Sequence, residues 1–276
     1  MGSEMCIRDR LIDYARWDEL DSLEGPIMRA YDIFLAERFS EDLYNFDIID
    51  RFNNVRLWHS KRQESKTKIT MDLNELKYPW HLLDIMNVLL NDIKRKIHPD
   101  AFIDDNVLIK GNVFIDKGAK IFGNTVLVGP LYIGQNVIVG NCSLVRQGII
   151  EANSLVGARI EIARSLLLEE SETHSGYIGD SIFSYKSHAG AEFVTANLRL
   201  DRGPIYVKIG GERINTRRNK LGAIIGENTE IGVNVSIMPG ILIGKNSLIG
   251  PGTVVFENVP DNTKYYARYE IMMKPI

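Results

Sequence analysis

The chain has 276 residues, 45% hydrophobic and 25% charged, which is room for one large domain or two modest ones of ordinary globular composition. A net charge of −3 gives no general attraction to nucleic acid, and no apolar run reaches the length of a membrane span. Cys6 and Cys142 form neither a disulfide pattern nor a metal-ligand spacing, which suits a reducing cytoplasm.

In chain order, residues 1–10, MGSEMCIRDR, look like a translated adapter junction or a disordered leader, so the natural chain is expected to be longer. Segments 25–39 (GPIMRAYDIFLAERF) and 79–96 (PWHLLDIMNVLLNDIKRK) have helical apolar spacing, the second opened by a proline and closed by basic residues. TKITMDL (67–73) has the composition of a short strand. Residues 11–95 read as a small α+β cap on the open end of the domain that begins at residue 96, or as the remnant of a larger domain.

From residue 96 to 260 a different rule governs. An aliphatic residue returns at every sixth position: Ile97, Ile103, Ile109, Ile115, Ile121, Leu127, Ile133, Val139, Val145. The series restarts as Ile225, Ile231, Ile237, Ile243, Ile249 and Val255. Four residues after each stands a second, mostly small or branched residue, such as Val113, Ala119, Thr125, Val235 and Ser247. Neither a helix nor a hairpin has this period, whereas a parallel β-helix of hexapeptide repeats does. The position before that second residue is often Asn or Gly (Asn112, Gly118, Asn124, Asn136, Gly240, Asn246), which tolerate the left-handed backbone of a sharp corner. With three repeats to a triangular coil, the first nine repeats make three coils and the last six make two.

The rhythm slips to a step of five at Val145–Ile150 and is loose between Val156 and Ala191. Residues 198–222 carry no hexapeptide pattern and read as a long excursion, in the manner of a hairpin, on a rigid scaffold. Residues 261–276 read as a tail. The expected fold class is mainly β.

Within the irregular stretch lie HSGYIGDSI (174–182) and GAEFVTANLRLD (190–201), followed by RRNKLGAIIGENTEIGVNVSIMPG (217–240) and IGPGTVV (249–255). On these residues the segment from Arg146 to Arg268 resembles the acetyltransferase domain of the bifunctional sugar-1-phosphate nucleotidylyltransferase/acetyltransferases, the archaeal type above all. YPWHLLDIMNVLL (78–90) is similar to that family's linker helix. The resemblance implies a left-handed β-helix, a homotrimer with sites between subunits, acetyl-CoA as co-substrate and an amino-sugar phosphate as acceptor. The family's Gly-rich nucleotide-binding loop is absent from the sequence, so nucleotidyl transfer is not expected from this chain.

Acetyl transfer to an amine requires removal of the amine proton, and an imidazole, with an unperturbed pKa of about 6.5, suits that task near neutrality. The resemblance makes His174 the general base. It assigns Tyr177 and Asn197 to the sugar and Arg146 to the phosphate, for which a planar guanidinium offers paired donors. The family's phosphate-binding lysine is replaced by Ala163, so Arg164 would have to reach instead; a further lysine is replaced by Gly203, leaving Arg202 or Lys208. Glu192 stands where the family has glycine. Ala191, Pro251 and Arg268 match positions along the acetyl-CoA edge. Arg146 and Arg164 have the alternative of being solvated outward-facing residues; His188 reads as a polar corner residue, and Met238, Tyr265 and Tyr266 as packing residues. No metal is called for: a hexapeptide carbonic anhydrase needs three histidines, and after residue 100 the sequence offers His174 and His188. A non-catalytic trimerisation scaffold and an O-acetyltransferase on another sugar are the competing readings.

Overall fold

The computed structural model describes residues 78–270 and 272–274. The readings for 25–39 and 67–73 lie outside the described residues. The aliphatic series forms three inward columns of a left-handed parallel β-helix. Ile97, Ile115, Ile133, Ile150, Leu167, Phe183, Ile225 and Ile243 stack on a first face. Ile103, Ile121, Val139, Val156, Thr173, Ala189, Ile231, Ile249 and Tyr265 stack on a second. Ile109, Leu127, Val145, Ile162 and Ile178 begin the third, which continues through Thr195, Ile237 and Val255. The second face is a nine-stranded sheet, one strand per coil, and the other two share a 14-stranded sheet. That sharing arises because strands Val126–Ile133 and Leu144–Ile150 continue round the corner between the third and first faces.

The coils do not pause between Val156 and Ala191. Nine strands on the second face mark nine coils, where the uninterrupted repeats account only for three and two. Steps of five at Val145–Ile150, Ile162–Leu167, Thr173–Ile178 and Ile178–Phe183 remove a residue at a corner and keep every strand in register. A rule of strict sixes cannot see through them. Left-handed corners in the regular coils fall to Asn or Gly, with Cys142 as an exception, and Gly111 serves where Asn112 was expected. In the shortened coils they fall, besides Asn153, to Gln147, Arg159, Arg164, Glu170, Asp180, Lys186 and Glu192, at a cost of roughly 1–2 kcal/mol each.

Burial of the columns supplies the stability. Val113, Ile115, Leu127, Ile133, Val145, Ile162 and Ile178 are fully buried, each contributing about 1.5–3 kcal/mol over an exposed side chain. Inward hydroxyls are satisfied by a repeated device: Thr125, Ser143 and Thr229 donate to the carbonyls of Gly140, Gly157 and Gly244.

A second core lies outside the coils. The outward side chains of the first face, Ile149, Leu166, Ile182, Ile224 and Leu242, are covered by the helix Leu82–Asn91 and by the excursion. The helix contributes Leu82, Leu83, Ile85, Met86 and Leu90, with Trp80 from the turn Pro79–His81 ahead of it. It stops at Asn91, short of the basic residues, because Lys96 and Ile97 already pair with Phe114 and Ile115. The described part of the expected cap thus lies along the side of the β-helix rather than over its end. The excursion is an antiparallel hairpin, Tyr206–Ile209 with Glu212–Asn215, whose Ile205, Val207 and Ile209 join the same cluster. The repeats also run past residue 260, since Lys264–Tyr265 pairs with Leu248–Ile249. Met238 and Tyr265 pack on the inner core, whereas Tyr266 is exposed. No helix among the described residues is long and apolar enough to cross a membrane.

Candidate active site

Where the second face turns into the third, the residue after each inward side chain donates its N–H to the next coil. In order these residues are Asp104, Phe122, Gly140, Gly157, His174, Gly190, Gly232 and Gly250. A Cβ on Gly190 would stand 2.9 Å from the Gly232 carbonyl carbon, and one on Gly232 would stand 2.7 Å from Pro251 N. Coil stacking therefore demands glycine there. His174 puts an exposed imidazole into a row that otherwise has no side chain on either side of it. The corner that comes next is shortened, and Gly176 takes it at φ 129.

Beyond that corner, Tyr177 points outward from the third face, in register with Glu161 on one side and Val194 on the other. Its hydroxyl accepts a hydrogen bond from Asn197 Nδ2 at 3.1 Å, and the same amide donates to Asp180 Oδ2 at 2.6 Å. Asp180 in turn takes a paired interaction from Arg164, Nε to Oδ1 and Nη2 to Oδ2, both 2.7 Å. Those bonds, with a smaller contribution from Tyr177, hold the Arg164 guanidinium above its ordinary value despite partial burial. Arg146 lies beside Ala163 and Gly179 in the adjoining column, and donates through Nε (3.0 Å) and Nη2 (2.5 Å) to Glu161 Oε1. Both arginines are thus engaged side chains, not freely solvated ones. The excursion leaves at the corner next to Asp180. Its neck is closed by Leu221 N donating to Asn197 O, and Gly222 N donates to Asp180 O.

The structure brings Arg146, Arg164, Tyr177 and Asn197 together on one face, with His174 at its edge. Ala191 sits at the same corner as His174 on the next coil toward the C-terminus and Pro251 at that corner two coils further on, and exposed Arg268 comes one residue after Ala267, which donates to Thr253 Oγ1. Glu192 holds a left-handed corner, exchanging hydrogen bonds with Ser175 next to His174. Lys208 is placed elsewhere: it lies on the hairpin over the first face, and its carbonyl accepts from Asn258 Nδ2 at 2.6 Å. Its strand neighbours Val207 and Ile209 pack in the outer core, which sets its backbone apart from the Tyr177–Asn197 group. Arg202 is exposed at a left-handed turn beside Gly203, whose N–H donates to Asp201.

Sequence reasoning missed four carboxylate or imidazole partners. Asp180 and Glu161 are named only by the register of neighbouring coils. His188 is not at a corner but on strand His188–Ala189, its ring 5.4 Å from that of His174 at 87°. Its Nδ1 lies 2.9 Å from Glu230 Oε2. Glu230 is brought beside it across the excursion, so that no local spacing links the two.

Residues 222–257 match the family model described as bacterial transferase hexapeptide (six repeats). A bifunctional protein GlmU of Methanococcus maripaludis is 39% identical over 202 residues, covering 72% of this chain and 48% of that protein. A bifunctional sugar-1-phosphate nucleotidylyltransferase/acetyltransferase of Sulfurisphaera tokodaii is 37% identical over 183 residues, covering 66% of this chain and 45% of that protein. The chain spans about half the length of these curated relatives. A putative uncharacterized acetyltransferase, YaiX, of Escherichia coli is 34% identical over 196 residues, covering 68% of this chain and 83% of that protein.

Proposed function

The chain belongs to the hexapeptide-repeat transferases, in the group formed by the acetyltransferase domain of the bifunctional sugar-1-phosphate nucleotidylyltransferase/acetyltransferases, and from this we propose that it is an acetyl-CoA-dependent N-acetyltransferase acting on an amino-sugar 1-phosphate in the cytoplasm. Glucosamine-1-phosphate or galactosamine-1-phosphate is the acceptor. The observation that carries this reading is a single exposed imidazole, His174, set in a glycine-lined corner beside the Tyr177–Asn197–Asp180–Arg164 network.

In the proposed reaction the sugar amine attacks the thioester carbonyl carbon while His174 takes the amine proton. The tetrahedral intermediate collapses with loss of the CoA thiolate, which recovers that proton from the imidazolium, leaving the amide and the free thiol. The bare glycine corner through Ala191 and Pro251 suits an extended pantetheine arm, with Arg268 toward the cofactor's phosphates. Tyr177 and Asn197 hold the sugar. Each arginine spends Nε and one Nη on its carboxylate, so the rest of its fork is available to an incoming phosphate oxygen.

The active species is a homotrimer. Val194 and Val254, exposed on the third face on the Tyr177 side, supply apolar surface for a second copy to cover, and light scattering on the purified protein checks the mass. Activity is tested by thiol release from acetyl-CoA with each amino-sugar phosphate. His174→Ala is expected to lose about 10²–10⁴-fold in kcat. Equal, background-level release from wild type and variant would replace the enzymatic reading with that of a trimerisation scaffold.

A further inference from the structure

On the second face, Glu172, His188 and Glu230 occupy one outward column, with His188 in register between the two carboxylates. On either side the column returns to leucine, Leu155 and Leu248. A carboxylate–imidazole–carboxylate run between two leucines has no role in coil stacking, which uses the backbone and the inward residues. It lies next to His174, whose ring is perpendicular to that of His188 with centroids 5.4 Å apart. Glu230, on the far side, bonds His188 Nδ1 at 2.9 Å. An ionised carboxylate can only accept, so this bond places the hydrogen on Nδ1 and fixes how the His188 ring is turned.

We propose that His188, oriented by Glu230, is the positioning residue for His174. The edge-to-face contact holds the base in one rotamer, aimed along the third face at Tyr177. The negative charge of Glu230, relayed through the His188 ring, supports the imidazolium that forms when His174 accepts the amine proton. This rests on the assignment of His174 as the base. Glu172 faces His188 from the opposite coil and adds to the same negative field.

The test uses the full chain labelled with 15N, whose five histidines give a small set of ring resonances, with His174 assigned from a His174→Asn sample. His188→Phe keeps an aromatic ring against His174 but cuts the link to Glu230, and the largely exposed Glu230→Gln keeps an acceptor but removes the charge. Both are expected to move the His174 ring 15N shifts. Both should also lower kcat for acetyl transfer by about 10–100-fold, the scale set by a misplaced reacting group, with KM for the sugar nearly unchanged. Unmoved His174 shifts in both variants overturn the proposal, as does wild-type kcat in both. If wild type transfers no acetyl group to any amino sugar, the assignment of the base falls, and the 15N shifts still decide whether His188 orients His174. Should His188→Phe fail to fold, Glu230→Gln on the surface carries the measurement alone.

Discussion

Replacing Arg164 with alanine would strand the Asp180 carboxylate, whose side chain is only 9% exposed. In the native site that carboxylate accepts from Arg164 Nε and Nη2 and from Asn197 Nδ2. Without the arginine only the amide bond is left. Breaking a fully buried pair costs about 3–5 kcal/mol, and breaking an exposed one about 0–1 kcal/mol. The Arg164 side chain is 27% exposed, so water can enter part of the space left behind, which places the expected loss at about 2 kcal/mol. Asp180→Asn leaves a partly exposed guanidinium facing a neutral acceptor and should cost about 1 kcal/mol. In the double variant nothing charged is buried, and the cycle should return a coupling of about 1–2 kcal/mol. Urea unfolding of the four proteins measures it. A coupling below about 0.3 kcal/mol would show the pair to be a surface contact, and the reasoning that makes Asp180 the anchor for Arg164 and Asn197 would be wrong.

Phe183, fully buried and edge-to-face with Phe193 at 5.7 Å, should cost about 3–5 kcal/mol when replaced by alanine. Phe183→Leu should cost visibly less by the same unfolding assay, and equal losses would mean that the column collapses around the gap. Burial pushes the Asp261 carboxyl up, against the opposing hydrogen bond from Lys245 N–H. A raised folded-state value means a stability contribution fully present below the ordinary carboxylate value of about 4 and lost as pH rises through the raised one. Asp261→Asn, which keeps an acceptor for Lys245 N–H, should therefore gain on wild type between about pH 3 and pH 7. The gain is read from urea midpoints at both pH values, and a constant difference would contradict the sign.

The columns of the β-helix were legible because inward side chains obey one local spacing. Ile97 through Val145 and Ile225 through Val255 occupy the faces that a period of six implies. The intermediate coils were not, because each dropped corner residue resets the count while leaving the hydrogen-bonded register intact. His174, Tyr177, Asn197, Arg146 and Arg164 could be named from motif resemblance, and the structure gathers them. Their partners could not. Glu161, Asp180 and Glu230 are set opposite them by coil stacking, a contact across 15, 16 or 42 residues that no window along the chain contains. The placement of Lys208 was equally hidden: its charge suits an anion, while its neighbours Val207 and Ile209 commit the strand to the outer core.

The steps of five have a geometric consequence. Each residue taken from a coil removes roughly 3 Å of extended backbone from its perimeter. The coils that lose residues succeed one another from Val145 to Phe183 and carry Arg146, Glu161, Arg164, His174, Tyr177 and Asp180. The backbone there turns its corners with one residue fewer than in the coils toward either end. A flexible molecule laid lengthwise along the corner between the second and third faces would therefore meet less backbone beside His174 than beside its neighbours.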